Sequence, residues 1–149
     1  MARATLSLSE ALRTEAIVYA REALPEEACG FLLGSEAAPD AFRVEAITAA
    51  RNLHPHREDR FLIDPLEYAK AERRCARHAG WRVLGFWHSH PASPPRPSPI
   101  DLEQAQGLHA SFPAHYVYVI VSLEVPDAPA LAAWRLDAHA AAFEALGLR

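Results

Sequence analysis

Apolar residues recur at helical spacing at Leu12, Ala16, Ile17, Ala20 and Ala23. Ser7-Leu8-Ser9-Glu10 stands before them as a capping box, so the pattern predicts a helix from about Ser9 to Leu24, ended by Pro25. The period then shortens. Cys29 to Leu33 is a continuous apolar run closed by Gly34, and Phe42 to Ala50 alternates. The two read as buried strands joined in a hairpin across Ser35–Ala41. Asn52 to Arg60 is polar and reads as a loop, with a short strand expected over Arg60–Ile63. Asp64-Pro65-Leu66-Glu67 combines a cap, a first-turn proline and a glutamate, which predicts a helix to about His78, stopped by Gly80. Arg82 to His88 is a strand, fully apolar from Val83 to Trp87. Ser98-Pro99-Ile100-Asp101 repeats the helix-start logic, and Tyr116–Leu123 and Ala130–Leu136 read as further strands. The last dozen residues fit either a helix or an edge strand. The order predicts a mixed α/β (α+β) chain, one domain over residues 1–149, built around one sheet.

Composition narrows the function. The chain has 149 residues, half of them hydrophobic, and a formal charge of −4, so neither a nucleic-acid footprint nor a polybasic membrane patch is expected. No apolar run approaches the roughly 18 residues of a membrane span, and no secretory h-region opens the chain. Two cysteines, Cys29 and Cys75, imply no disulfide framework, and a reducing cytoplasm is the default compartment. Lys70 is the sole lysine, a bias of composition with no functional reading.

The chemistry gathers at Gly85-Phe86-Trp87-His88-Ser89-His90-Pro91. Residues i and i+2 of a strand share a face, so His88 and His90 can reach one ion. The segment Pro91–Pro99 is rich in proline, which restricts its backbone and suits a loop that returns a ligand to a fixed place. It delivers Ser98 and Asp101. A capping box alone explains both, yet a first-turn carboxylate can also face the strand end. Two imidazoles and one carboxylate with an open fourth position make a catalytic zinc set. Glu27, at the entrance to the first strand, is an ordinary exposed glutamate by itself; beside such an ion it can exchange protons.

The spacing His88-x-His90-x7-Ser98-x2-Asp101, with Glu27 in Pro-x-Glu-x-Cys-Gly-x-Leu-x-Gly, resembles the JAMM motif of the JAB/MPN-domain metalloproteases. The stretches RFLIDPLEYAKAERR, PSPIDLEQA and YVYVIVSL are similar to those of short prokaryotic members, and the resemblance spans roughly residues 5 to 136. It implies a curved mixed sheet flanked by helices, as in the cytidine-deaminase-like group. It implies Zn2+ held by His88, His90 and Asp101 with a water as the fourth ligand, Glu27 as proton shuttle and Ser98 as donor to the oxyanion. The partner it implies is a ubiquitin-like or sulfur-carrier protein with a C-terminal Gly-Gly, cut from whatever is joined to it. Long insertions that many eukaryotic members use to grip ubiquitin are absent from this sequence.

Three alternatives stay open at this level. One is a non-catalytic MPN-type scaffold, which the full ligand set disfavours. A zinc deaminase needs an H-x-E and a P-C-x-x-C pair that the sequence lacks. An iron oxygenase with a two-His-one-carboxylate set fits the ligand inventory alone. Cys29 and Cys75 are expected to pack. His54, His56, His78, His109, His115 and His139 have no matching ligand spacing and are expected at the surface or in structural roles. The oligomeric state is not legible from the residues.

Overall fold

The computed structural model describes residues 3–111 and 115–149. Seven strands and three helices follow in the order β1 (Thr5–Ser7), α1 (Glu10–Ala23), β2 (Cys29–Ala38), β3 (Ala41–Ala50), α2 (Pro65–Cys75), β4 (Arg82–His90), α3 (Pro99–Ser111), β5 (Val117–Ser122), β6 (Ala130–Leu136) and β7 (Phe143–Leu148). The strands form one mixed sheet in the spatial order β1-β3-β2-β4-β5-β6-β7, closed into a barrel where β1 meets β7. The pairs β1–β3, β1–β7 and β4–β5 are parallel and the rest antiparallel.

Apolar residues face both ways from the central strands, because helices cover both faces. On one face Leu6, Leu32, Val44, Leu84, Val119 and Leu146 pack with Ala16 and Ala20 of α1. On the other, Phe31, Leu33, Val83 and Phe86 pack with Ala71 and Cys75 of α2 and Ala105 of α3. Fully burying a leucine such as Leu84 contributes on the order of 1.5–3 kcal/mol. β5 is buried at every position, in keeping with its β-branched and aromatic run VYVIVS. Gly30 sits where the sheet allows no side chain: a Cβ there would lie 1.7 Å from the Thr48 carbonyl oxygen. That oxygen accepts a 2.8 Å hydrogen bond from the buried Trp87 indole.

Several boundaries differ from expectation. The cap of α1 is Ser9, whose Oγ accepts from the Leu12 N–H, while Ser7 belongs to β1. The hairpin turns at Pro39-Asp40, so β2 runs on past Gly34. α2 ends at Cys75 rather than His78; Gly80, at φ +80°, turns the chain further on. β4 continues through His90. The C-terminal segment is strand β7. Arg60–Ile63 is not a strand, because its backbone groups are taken elsewhere. Arg60 O accepts from Asn52 Nδ2, Phe61 O from Gln104 Nε2, and Leu62 N donates to Asn52 Oδ1.

Candidate metal centre

β4 carries His88 and His90 on the face that Phe86 shares with α2 and α3. The intervening Ser89 points the other way. Its Oγ accepts from Ala28 N at 2.8 Å and its N–H donates to Ala28 O at 3.0 Å. That reciprocal pair fixes the entrance of β2, and so Glu27, against the histidine strand.

α3 supplies the carboxylate. Asp101 Oδ2 accepts from Ser98 N at 2.9 Å while Ser98 Oγ accepts from Asp101 N at 3.0 Å. The capping box is therefore real, and it does not compete with the chemistry. The same Oδ2 lies 3.0 Å from His90 Nε2, and Oδ1 lies 3.2 Å from His88 Nε2. The two Nε2 atoms are 3.2 Å apart. One ligand atom from each of His88, His90 and Asp101 falls within 4.8 Å of the others, with all three residues buried; among the described residues no other such group occurs.

These atoms fit a cation. His90 Nδ1 lies 2.7 Å from the Pro94 carbonyl, to which it must be the donor. Its Nε2 then presents a lone pair toward the other two ligands. Asp101 Oδ1 counts as a buried oxygen with no accepted hydrogen bond of good geometry. Buried lone pairs turned toward one point are costly unless something positive meets them. Nitrogen, nitrogen and carboxylate oxygen are the donor types zinc takes. Burial works against charge on His90, but the Asp101 carboxylate and the Pro94 carbonyl outweigh it and raise the imidazole above its ordinary value. At Asp101 burial pushes upward and loses to the adjacent His88 and His90 imidazoles and the Ser98 N–H, leaving the carboxyl well below the usual carboxylate range.

Glu27 is 4 % exposed, and its Oε1 has no partner. Burial, reinforced by the negative charge of Asp101 and opposed by His90, pushes its carboxyl up to about 8. It is a buried acid held near neutrality beside the histidine pair, not the exposed glutamate its sequence context suggests. Ser98 uses a lone pair to accept from Asp101 N, so its hydroxyl proton is free to be donated. Cys29 pairs in register with His88, but its thiol lies 3.7 Å from Ala50 O, and burial, with the nearby Glu27, pushes it up to about 12. It packs as a neutral thiol, as Cys75 does in the α2 core.

Residues that the sequence did not single out complete the surroundings. Phe61 stacks on the His88 ring, with centroids 4.9 Å apart. Gln104, one turn beyond Asp101 on α3, holds the Phe61 carbonyl at 2.9 Å. Phe61, Ile63, Phe86, Leu108 and Phe143 line an apolar cavity of about 210 Å³ that opens against His88 and Asp101. A single polar residue carries no periodic signal, whether in a loop, as Asn52 is, or on a helix, as Gln104 is.

The model for prokaryotic homologs of the JAB domain matches residues 9–137. The chain belongs to the prokaryotic JAB-domain family. Its fold is shared with a solved Desulfitobacterium hafniense protein at a TM-score of 0.81 and 31% identity, over 97% of this chain and 91% of that one. A Salinibacter ruber protein matches at a TM-score of 0.67 and 35% identity, over 95% and 88%. A desampylase of Haloferax volcanii is 35% identical over 143 residues, 93% of this JAB-domain chain and 89% of the relative. A probable TtuB-protein conjugate cleaving protease of Thermus thermophilus is 36% identical over 86 residues, 58% of this chain and 53% of that protein. No helix among the described residues is long and apolar enough to cross a membrane.

Proposed function

We propose that this JAB-domain protein is a zinc-dependent hydrolase that cuts peptide or isopeptide bonds after the C-terminal Gly-Gly of a ubiquitin-like or sulfur-carrier protein. The observation that carries the proposal is the buried convergence of His88, His90 and Asp101 beside a buried, partnerless Glu27 carboxyl oxygen. The names of the two relatives, one a desampylase and one a cleaver of protein conjugates, support the substrate class.

His88 and His90, each through Nε2, and Asp101 through its carboxylate would hold the ion. When bound, zinc supplies Lewis acidity, polarising a carbonyl and making water a better nucleophile near neutral pH. The protein's own groups do the rest. Glu27 takes a proton from the attacking water and returns it to the leaving amine. Ser98 donates its free hydroxyl proton to the oxygen that gains charge at the cut carbonyl. Pro94 holds the His90 ring in the tautomer that leaves Nε2 unprotonated. No covalent intermediate is required, consistent with a Cys29 thiol too weakly acidic to attack.

The test is a set of carrier fusions that differ at the last tail residue and at the residue after the cut. A Gly-Gly tail has no side chains and can lie extended in a narrow groove beside the sheet near His88, with Pro91–Pro97 as one wall. Changing the last glycine to valine should reduce cleavage far more than changing the residue after the cut. Equal cleavage of Gly-Gly and Gly-Val tails would refute glycine selection.

A further inference from the structure

Glu27 has a position but no side-chain hydrogen bond at Oε1 to maintain it. Its backbone is held on both sides by the loop between β3 and α2. Asn52 Nδ2 donates to Glu27 O at 3.1 Å, and Glu27 N donates to Arg57 O at 2.7 Å. The Arg57 side chain also pairs with Glu26. Asn52 makes three more bonds: Nδ2 to Arg60 O at 2.9 Å, and Oδ1 from His54 N at 3.1 Å and Leu62 N at 3.0 Å. Two carbonyls and two N–H groups around one amide admit only this orientation, because the flipped amide would face donor with donor and acceptor with acceptor. The same loop carries Phe61, stacked on His88.

We infer that Asn52 is a positioning residue for the hydrolysis proposed above: its amide locks the loop to the Glu27 carbonyl and so sets where the Glu27 carboxyl stands relative to the histidine pair. The inference rests on that reading of Glu27. A displacement of about 1 Å in a proton-transfer group can cost on the order of a hundredfold in rate. Because Asn52 touches no reacting atom, its effect must pass through Glu27.

The experiment is a double-mutant cycle on the zinc-loaded protein with a carrier–peptide fusion, using Asn52→Ala and Asn52→Asp, each alone and combined with Glu27→Gln. Asn52→Asp keeps an oxygen for the His54 and Leu62 N–H groups and removes the donor to Glu27 O, so it can be read even if Asn52→Ala fails to fold. Each single variant should bind zinc in the same ratio as the parent and lose about ten- to a hundredfold in kcat, with KM changed less than about threefold. In the Glu27→Gln background the same substitutions should lower kcat by less than about twofold. Amide exchange at Glu27 should accelerate in both single variants, a readout independent of turnover. An equal loss in both backgrounds, a change confined to KM, or full kcat in Asn52→Asp would overturn the inference. No hydrolysis by the parent protein would instead overturn the reading on which it rests.

Discussion

Replacing Glu27 by Gln should make the metal-free protein increasingly more stable than the parent as pH rises, and should destroy hydrolysis by the zinc-loaded protein. The Glu27 carboxyl is 4 % exposed and is pushed from 4.5 to about 8, chiefly by burial. Folding therefore favours its protonated form. The associated stability is fully present below pH 4.5 and is lost as pH rises through about 8, because the unfolded chain ionises first. The gap between 4.5 and about 8, at about 1.36 kcal/mol per pH unit, sets an upper bound of about 5 kcal/mol. Relaxation and water entry reduce this, and a difference of about 2 kcal/mol is a realistic expectation. Glutamine is close in shape to the protonated acid and does not titrate. The assay is urea unfolding of both chelator-treated proteins from pH 5 to pH 9. The two curves should lie closest at pH 5 and separate as pH rises, with the variant above. Parallel curves across the range would refute the placement of a buried, partnerless carboxyl at this position. With zinc loaded, the same variant should keep its metal and lose hydrolysis by at least about a hundredfold.

The parent should carry close to one zinc per chain and His88→Ala or His90→Ala should abolish tight binding, as metal analysis after gel filtration would show. Asp101→Asn should weaken zinc and also loosen the start of α3, where Asp101 accepts from Ser98 N; intact zinc and activity would leave it a cap alone. Ser98→Ala should keep the metal and lower kcat by about ten- to a thousandfold, and a change in KM alone would make Ser98 a positioning or capping residue. Gly30→Ala should destabilise by about 3 kcal/mol or more in chemical denaturation, since the new Cβ meets Thr48 O at 1.7 Å and the Trp87 indole nitrogen at 2.5 Å.

The cluster of His88, His90 and Asp101 was legible because its geometry is local. His88 and His90 share a strand face by alternation alone, and Ser98 and Asp101 share a helix start. The proline-rich segment between them allows few paths, and Pro94 turns out to orient the His90 ring. What lay beyond the sequence is what depends on chain closure. β1 is three residues long, too short for a periodic signal, and β7 shows weak alternation; their parallel pairing closes the expected single sheet into a barrel. Arg60–Ile63 has a strand-like pattern, yet Asn52 and Gln104 side chains take its backbone bonds. Glu27 was found by its motif, but its burial was not, because that depends on β4, α3 and the loop after β3 meeting around it.

The most direct measurement is the product mass spectrum after the zinc-loaded protein meets the organism's own Gly-Gly-ending carriers, each fused to a test peptide, with Glu27→Gln run alongside. The account predicts one new carrier mass that ends at the second glycine, formed by the parent protein and nearly absent with the variant. Uncut carriers throughout, or equal cleavage by the parent and Glu27→Gln, would contradict it.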